Sequence, residues 1–173
     1  MHSIRKDMEE FRRQLEQGSI QKAYRALLSY MMGLRTHFMN NLAGSTVSGL
    51  YQGYMGMTYF ALFPSSLKHR NLKIAIVFNY DAFGFEAWLA GGNRKVQRQY
   101  WELFKDSQWP AYRVVTPAKG IASILECDLA TDFDLDAPDG LTASIETATV
   151  AFIDDIERFL AEHQSLEQSG PCD

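Results

Sequence analysis

The chain is predicted to be an α+β protein: an antiparallel sheet of about four to five strands with two amino-terminal helices, a middle helix and a long carboxy-terminal helix. Three observations predict it. Apolar residues recur at helical spacing before position 42 and again after position 139. Strand-like runs fill much of the stretch from 50 to 90. Between two of those runs, Asn79 to Gly84 supplies the Asn, Asp and Gly of a hairpin connection, which makes the order antiparallel.

The elements follow in order. Met8, Phe11 and Leu15 share a helical face, and Gly18-Ser19 ends that helix and opens the next. From about Ile20 to Leu42, the residues Ile20, Tyr24, Leu27, Met31, Leu34 and Phe38 form one apolar stripe, the mark of a core helix. Asn40, Asn41, Gly44 and Ser45 lead out of it into a loop. Three strands are expected next, at about 50–63, 72–79 and 84–90, with a short helical turn at Pro64-Ser65-Ser66. In the second strand Ile74, Ile76 and Phe78 alternate with Ala75, Val77 and Asn79; in the third Phe85, Ala87 and Leu89 alternate with Glu86 and Trp88. Asn93 caps a helix running to about Asp106, whose core side is Val96, Tyr100, Leu103 and Phe104. Short strands are expected at 112–115 and 124–129. The final helix, started by Asp139, carries Leu141, Ile145, Ala148, Phe152, Ile156, Phe159 and Leu160 on one face. Residues 1–164 are expected to form one domain and 165–173 a disordered tail.

Composition narrows the class. Of the 173 residues 46% are hydrophobic and 22% charged, as in a globular chain able to bury a core without disulfides or a structural metal. No apolar run reaches the length of a membrane span and none follows the basic residues at the start, so a cytoplasmic protein with no membrane contact is expected. Cys127 in a strand and Cys172 in a polar tail are poor bridge partners. Charge is divided: residues 1–120 hold 16 lysines and arginines against 8 acidic residues, and residues 121–173 hold 1 against 13. Such a division suits two parts that pack as complements, or a basic body that takes an anionic ligand. With a pI near 5.6 and scattered cations, nucleic acid is not an expected partner.

Candidate chemistry is sparse. Gly49, Gly53 and Gly56 among Tyr51, Tyr54 and Tyr59 suggest a bent strand or the floor of a small pocket. Gly91-Gly92-Asn93-Arg94-Lys95, with Arg98 a turn later, could offer free helix amides and cations to a phosphate or carboxylate, or serve only as a turn with a solvated basic face. Glu86, mid-strand beside Trp88, is a raised-pKa base, an arginine partner or an exposed side chain. The predicted binding surface is therefore Tyr51, Tyr54, Glu86, Trp88, Arg94, Lys95 and Arg98, with no cofactor expected. Two alternatives stand beside it: a homodimer through a sheet face or the helices, and a divalent-metal hydrolase using Glu86, Glu126 and Asp128. Asp132, Asp134 and Asp136 alternate like the start of a calcium loop, but Ala137 and Ala143 replace the required glycine and glutamate, which excludes an EF-hand. His2, His37, His69 and His163 show no metal spacing, and no Gly-x-Ser-x-Gly elbow exists. His37, on the apolar second helix, reads as a hydrogen-bonded core histidine.

Four segments carry a family likeness: Gln17-Gly18-Ser19-Ile20-Gln21-Lys22-Ala23-Tyr24, Ser48-Gly49-Leu50-Tyr51-Gln52-Gly53-Tyr54-Met55, Leu72-Lys73-Ile74-Ala75-Ile76-Val77-Phe78-Asn79 and Tyr100-Trp101-Glu102-Leu103-Phe104-Lys105. Through them the chain, to about Leu160, resembles a family of small bacterial cytoplasmic proteins known only as a domain of unknown function. The resemblance implies a single-domain protein and assigns no activity, cofactor or catalytic residue.

Overall fold

A computed structural model describes residues 3–109 and 111–168. Helix α1 (Ile4–Gln17) and helix α2 (Ser19–Asn41) meet at Gly18, whose left-handed backbone (φ 76°) lets its amide return to the Leu15 carbonyl and end α1. The apolar stripe of α2 acts as its spacing predicts, with Leu27, Met31, Leu34 and Phe38 buried. No residue of α1 is buried.

The sheet has six strands, all antiparallel: β1 (Ser45–Val47), β2 (Met57–Pro64), β3 (Leu72–Asn79), β4 (Gly84–Gly91), β5 (Arg113–Val114) and β6 (Ser123–Ala130), in the spatial order β1-β2-β3-β4-β6-β5. This corrects the expected four to five. Strand β1 lies in the segment read as a loop, and three residues at a sheet edge are too few for alternation to show. The strand expected at 50–63 is shorter than its composition suggested. Only Met57 onward joins the ladder, and Tyr51 keeps one isolated bridge to Tyr59. The cause is local: Gly53 (φ 68°) and Met55 (φ 58°) take left-handed backbone, and a Cβ at Gly53 would collide with the Met57 carbonyl. A one-turn helix, α3 (Ser65–Lys68), fills the expected turn between β2 and β3.

Cross-strand register separates the two faces of the sheet. Phe60 and Leu62 pair with Ile76 and Ile74, which pair in turn with Ala87 and Leu89, and Phe78 pairs with Phe85. This face joins the helices in one core. Phe38 of α2 meets Phe60 at 6.0 Å between ring centres, and Tyr30 meets Phe85 at 5.5 Å. The long helix α5 (Pro138–Gln168) lies beside α2, joined to it by Tyr30–Thr142 at 3.1 Å and His37–Glu146 at 2.7 Å. Helix α4 (Arg94–Asp106) packs against the far end of α5, where Phe104 stacks on Phe159 at 4.6 Å. The opposite face carries Ala61, Ala75, Val77, Glu86, Trp88, Glu126 and Asp128.

Helix α4 begins as predicted: the Asn93 side chain accepts from the Val96 amide at 2.9 Å. Buried Gln97 donates to the carbonyls of Ile121 and Ser123, tying the helix to the entry of β6. Helix α5 continues to Gln168; the remainder of the expected tail, with Cys172, lies outside the described residues, as does His2.

Candidate functional site

The seven residues predicted as a binding surface take up separate duties. Tyr51 stands on the loop before β2 and packs on Tyr59 at 5.0 Å, whereas Tyr54 of the same loop is 97% exposed. Glu86 is only 4% exposed. Its carboxylate accepts from Trp88 Nε1 at 2.6 Å and from Asn79 Nδ2 at 3.1 Å, so a buried charge meets two donors. Arg94 donates to the carbonyls of Ala118 and Ile121 and to Gln97 Oε1, holding the loop before β6. Lys95 and Arg98 are exposed on α4. Among the described residues five surface clefts stand out, and none of these five is lined by any of the seven.

The three carboxylates weighed for metal chemistry do share a face, since Glu86 pairs with Asp128 and Trp88 with Glu126. Two of the three, Glu86 and Glu126, have their oxygens engaged. Glu126 receives Arg113 Nη2 and Ser123 Oγ, each at 2.6 Å, and Glu86 holds the donors named above. Among the described residues no three His, Cys, Asp or Glu side chains group closely enough to hold a metal ion. In the aspartate-rich segment, Asp134 accepts from the Asp136 amide at 2.8 Å, an Asx turn. Cys127 is a half-buried free thiol whose pKa burial pushes up to about 11, so it is not a ready nucleophile. Helix α2 meets α5 through His37, whose ring nitrogen lies 2.7 Å from Glu146 beside an open groove of about 520 Å³.

A different cluster has the features of a binding site. Where the amino-terminal half of α2 passes the β3–β4 hairpin, Tyr24, Leu27, Met55, Tyr80, Phe83 and Phe133 line an open cleft of about 370 Å³. Part of its wall is a cluster of aromatic rings: Phe78 meets Tyr80 at 5.1 Å, Phe83 at 5.5 Å and Phe133 at 5.7 Å. The rim is held in place by hydrogen bonds. Thr58 donates its hydroxyl to the Gln52 carbonyl, so the Tyr80 hydroxyl, 2.9 Å away, must donate to Thr58 Oγ1. Burial raises the Tyr80 phenol above its usual value and keeps that proton in place. The Tyr80 amide also donates to the Gly56 carbonyl, so the loop bearing Met55 is fastened to the end of β3.

Two residues of this rim are held against their backbone preference. Among the described residues four non-glycines have left-handed backbone, and two of them are Met55 (φ 58°) and Phe83 (φ 52°). Both are large, apolar and exposed, at 51% and 64%. Such a conformation costs about 1–2 kcal/mol at each position, and exposure of the side chain returns little of it in the isolated chain. Met55 and Phe83 thus bring two strained, solvent-facing apolar side chains to one cleft. Sequence reasoning did not assemble this cluster, because its members come from four separated segments. One signal was present: Tyr80 and Phe83 are large aromatics inside a short hairpin turn.

Residues 4–160 match the family described as Domain of unknown function (DUF7000), and the chain belongs to that family. No curated protein and no solved structure matches the chain.

Proposed function

We propose that this protein is a binding module that receives an apolar, helical face of a protein partner in the cleft between α2 and the β3–β4 hairpin. The observation that carries the reading is the meeting of Met55 and Phe83, both strained and both exposed, on one aromatic rim. A site for a small polar metabolite would converge several hydrogen-bonding groups on its ligand. This cleft offers apolar walls, and the Tyr80 hydroxyl is already committed to Thr58. Open apolar grooves of this kind suit an amphipathic helix inserting residues at positions i, i+3, i+4 and i+7. The anionic-ligand reading at the start of α4 has less support, since Asn93 takes the Val96 amide and Arg94 is engaged with loop carbonyls.

Ala23→Glu tests the reading, because Ala23 is an exposed helical position in the cleft wall. At sub-micromolar concentration the wild-type protein should bind the apolar dye anilinonaphthalene sulfonate. The variant should bind it at least ~5-fold more weakly, because a carboxylate disfavours an apolar guest, while the far-UV circular dichroism stays unchanged. Equal dye binding by both proteins would remove the cleft as the binding surface.

A further inference from the structure

We infer that the occupant of the cleft is helix α1 of a second copy of this chain, each α1 lying in the other copy's cleft across a two-fold axis; the inference rests on the cleft being a helix-binding site. Helix α1 has a face without a partner. Ile4, Met8, Phe11 and Leu15 follow each other at steps of four, three and four, the spacing of a helix–helix seam, yet no residue of α1 is buried and Ile4, Met8 and Phe11 are exposed. A 14-residue helix is marginal in water without tertiary support. The seam calls for a complementary apolar surface.

The chain's own cleft is out of reach. Its α2 wall begins at Ile20 and Ala23, immediately after the joint, and α1 is linked to α2 by Gly18 alone. Folding back along α2 would require a connection of about two to five residues. A second copy meets no such restriction. Exchange by two-fold symmetry would cover both seams and both clefts with one kind of contact, repeated.

Charge favours this occupant over a lipid surface. An amphipathic helix that lies on an anionic membrane has a basic polar face. Helix α1 instead balances Arg5, Lys6, Arg12 and Arg13 with Asp7, Glu9, Glu10 and Glu16. Arg5, Glu9, Arg12 and Glu16 each follow a seam residue, so the border of the seam on that side is balanced in charge. Arg5 pairs with Glu9 at 3.2 Å and Arg12 with Glu16 at 3.8 Å, exposed pairs that hold weakly. A neutral border around an apolar seam suits an apolar protein cleft and gives an anionic lipid surface nothing to attract.

Light scattering on the full chain at tens of micromolar should give twice the 19.7 kDa chain mass. Two variants divide the contact: Met8→Glu with Phe11→Glu spoils the seam and leaves the cleft, whereas Ala23→Glu spoils the cleft and leaves the seam. Each alone should be monomeric, with the melting temperature of the wild type diluted below its association range, since all three positions are exposed. Mixed at high concentration, they should associate through the one intact seam–cleft contact, at least ~10-fold more weakly than wild type, since one of two equivalent contacts remains. A wild-type monomer, an Ala23→Glu protein that stays dimeric, or a mixture that does not associate would each overturn the inference. If the wild type is monomeric while Ala23→Glu still abolishes dye binding, the cleft reading stands and only its occupant is wrong.

Discussion

At the scale of single residues, the decisive feature is where the backbone is forced. Met55 and Phe83 occupy left-handed conformations that glycine would accept freely, and they hold apolar side chains toward solvent at the same rim. Replacing Met55 by glycine should therefore leave stability unchanged or raise it by up to about 1 kcal/mol, while weakening dye binding in the cleft. Chemical denaturation read beside dye titration checks both halves; a marked loss of stability would mean that Met55 is held there for the fold. Glu86 teaches the reverse lesson. It was singled out as a carboxylate in an unexpected place, and the structure gives it Trp88 and Asn79 as donors. A polar residue in a strand was legible in the sequence, but its partners were not, because Asn79 reaches it from the neighbouring strand.

At the scale of elements, the parts set by local chemistry are those the sequence showed best. Helix α4 starts where its cap lies, and β3 spans the residues whose alternation was read. Asn93→Ala should cost about 1 kcal/mol, the usual worth of a side-chain cap, measured as a lowered denaturation midpoint at an unchanged slope. The parts that eluded reading depend on partners. Strand β1 exists because Ser45 to Val47 lie against Leu62 to Pro64, and Tyr51 pairs with Tyr59 without extending into a strand. Helix α1 is the instructive case, since its seam was visible as periodicity while its exposure became visible only in three dimensions.

Over the whole molecule, half-buried phenols and a half-buried thiol set an alkaline limit. Burial lifts Cys127 from 9.0 to about 11 and raises Tyr30, Tyr80 and Tyr112 above 10.0, the last also through its hydrogen bond to Asp155. As pH climbs, the unfolded chain gives up these protons first, so above about pH 9 the folded state binds more protons and stability falls. This contribution is fully present below pH 9. The melting temperature should thus decline steadily between pH 9 and 11, and Cys127→Ala should remove the earliest part of the decline. A flat profile across that range would show that these groups stay open to solvent. Class of fold, helix faces, hairpin order and the α4 cap were all written in periodicity and capping, because those patterns are enforced by neighbours a few residues apart. The count of six strands, the partners of Glu86 and the aromatic cleft were decided only by folding, because each requires side chains from distant segments to share a surface that no local spacing encodes.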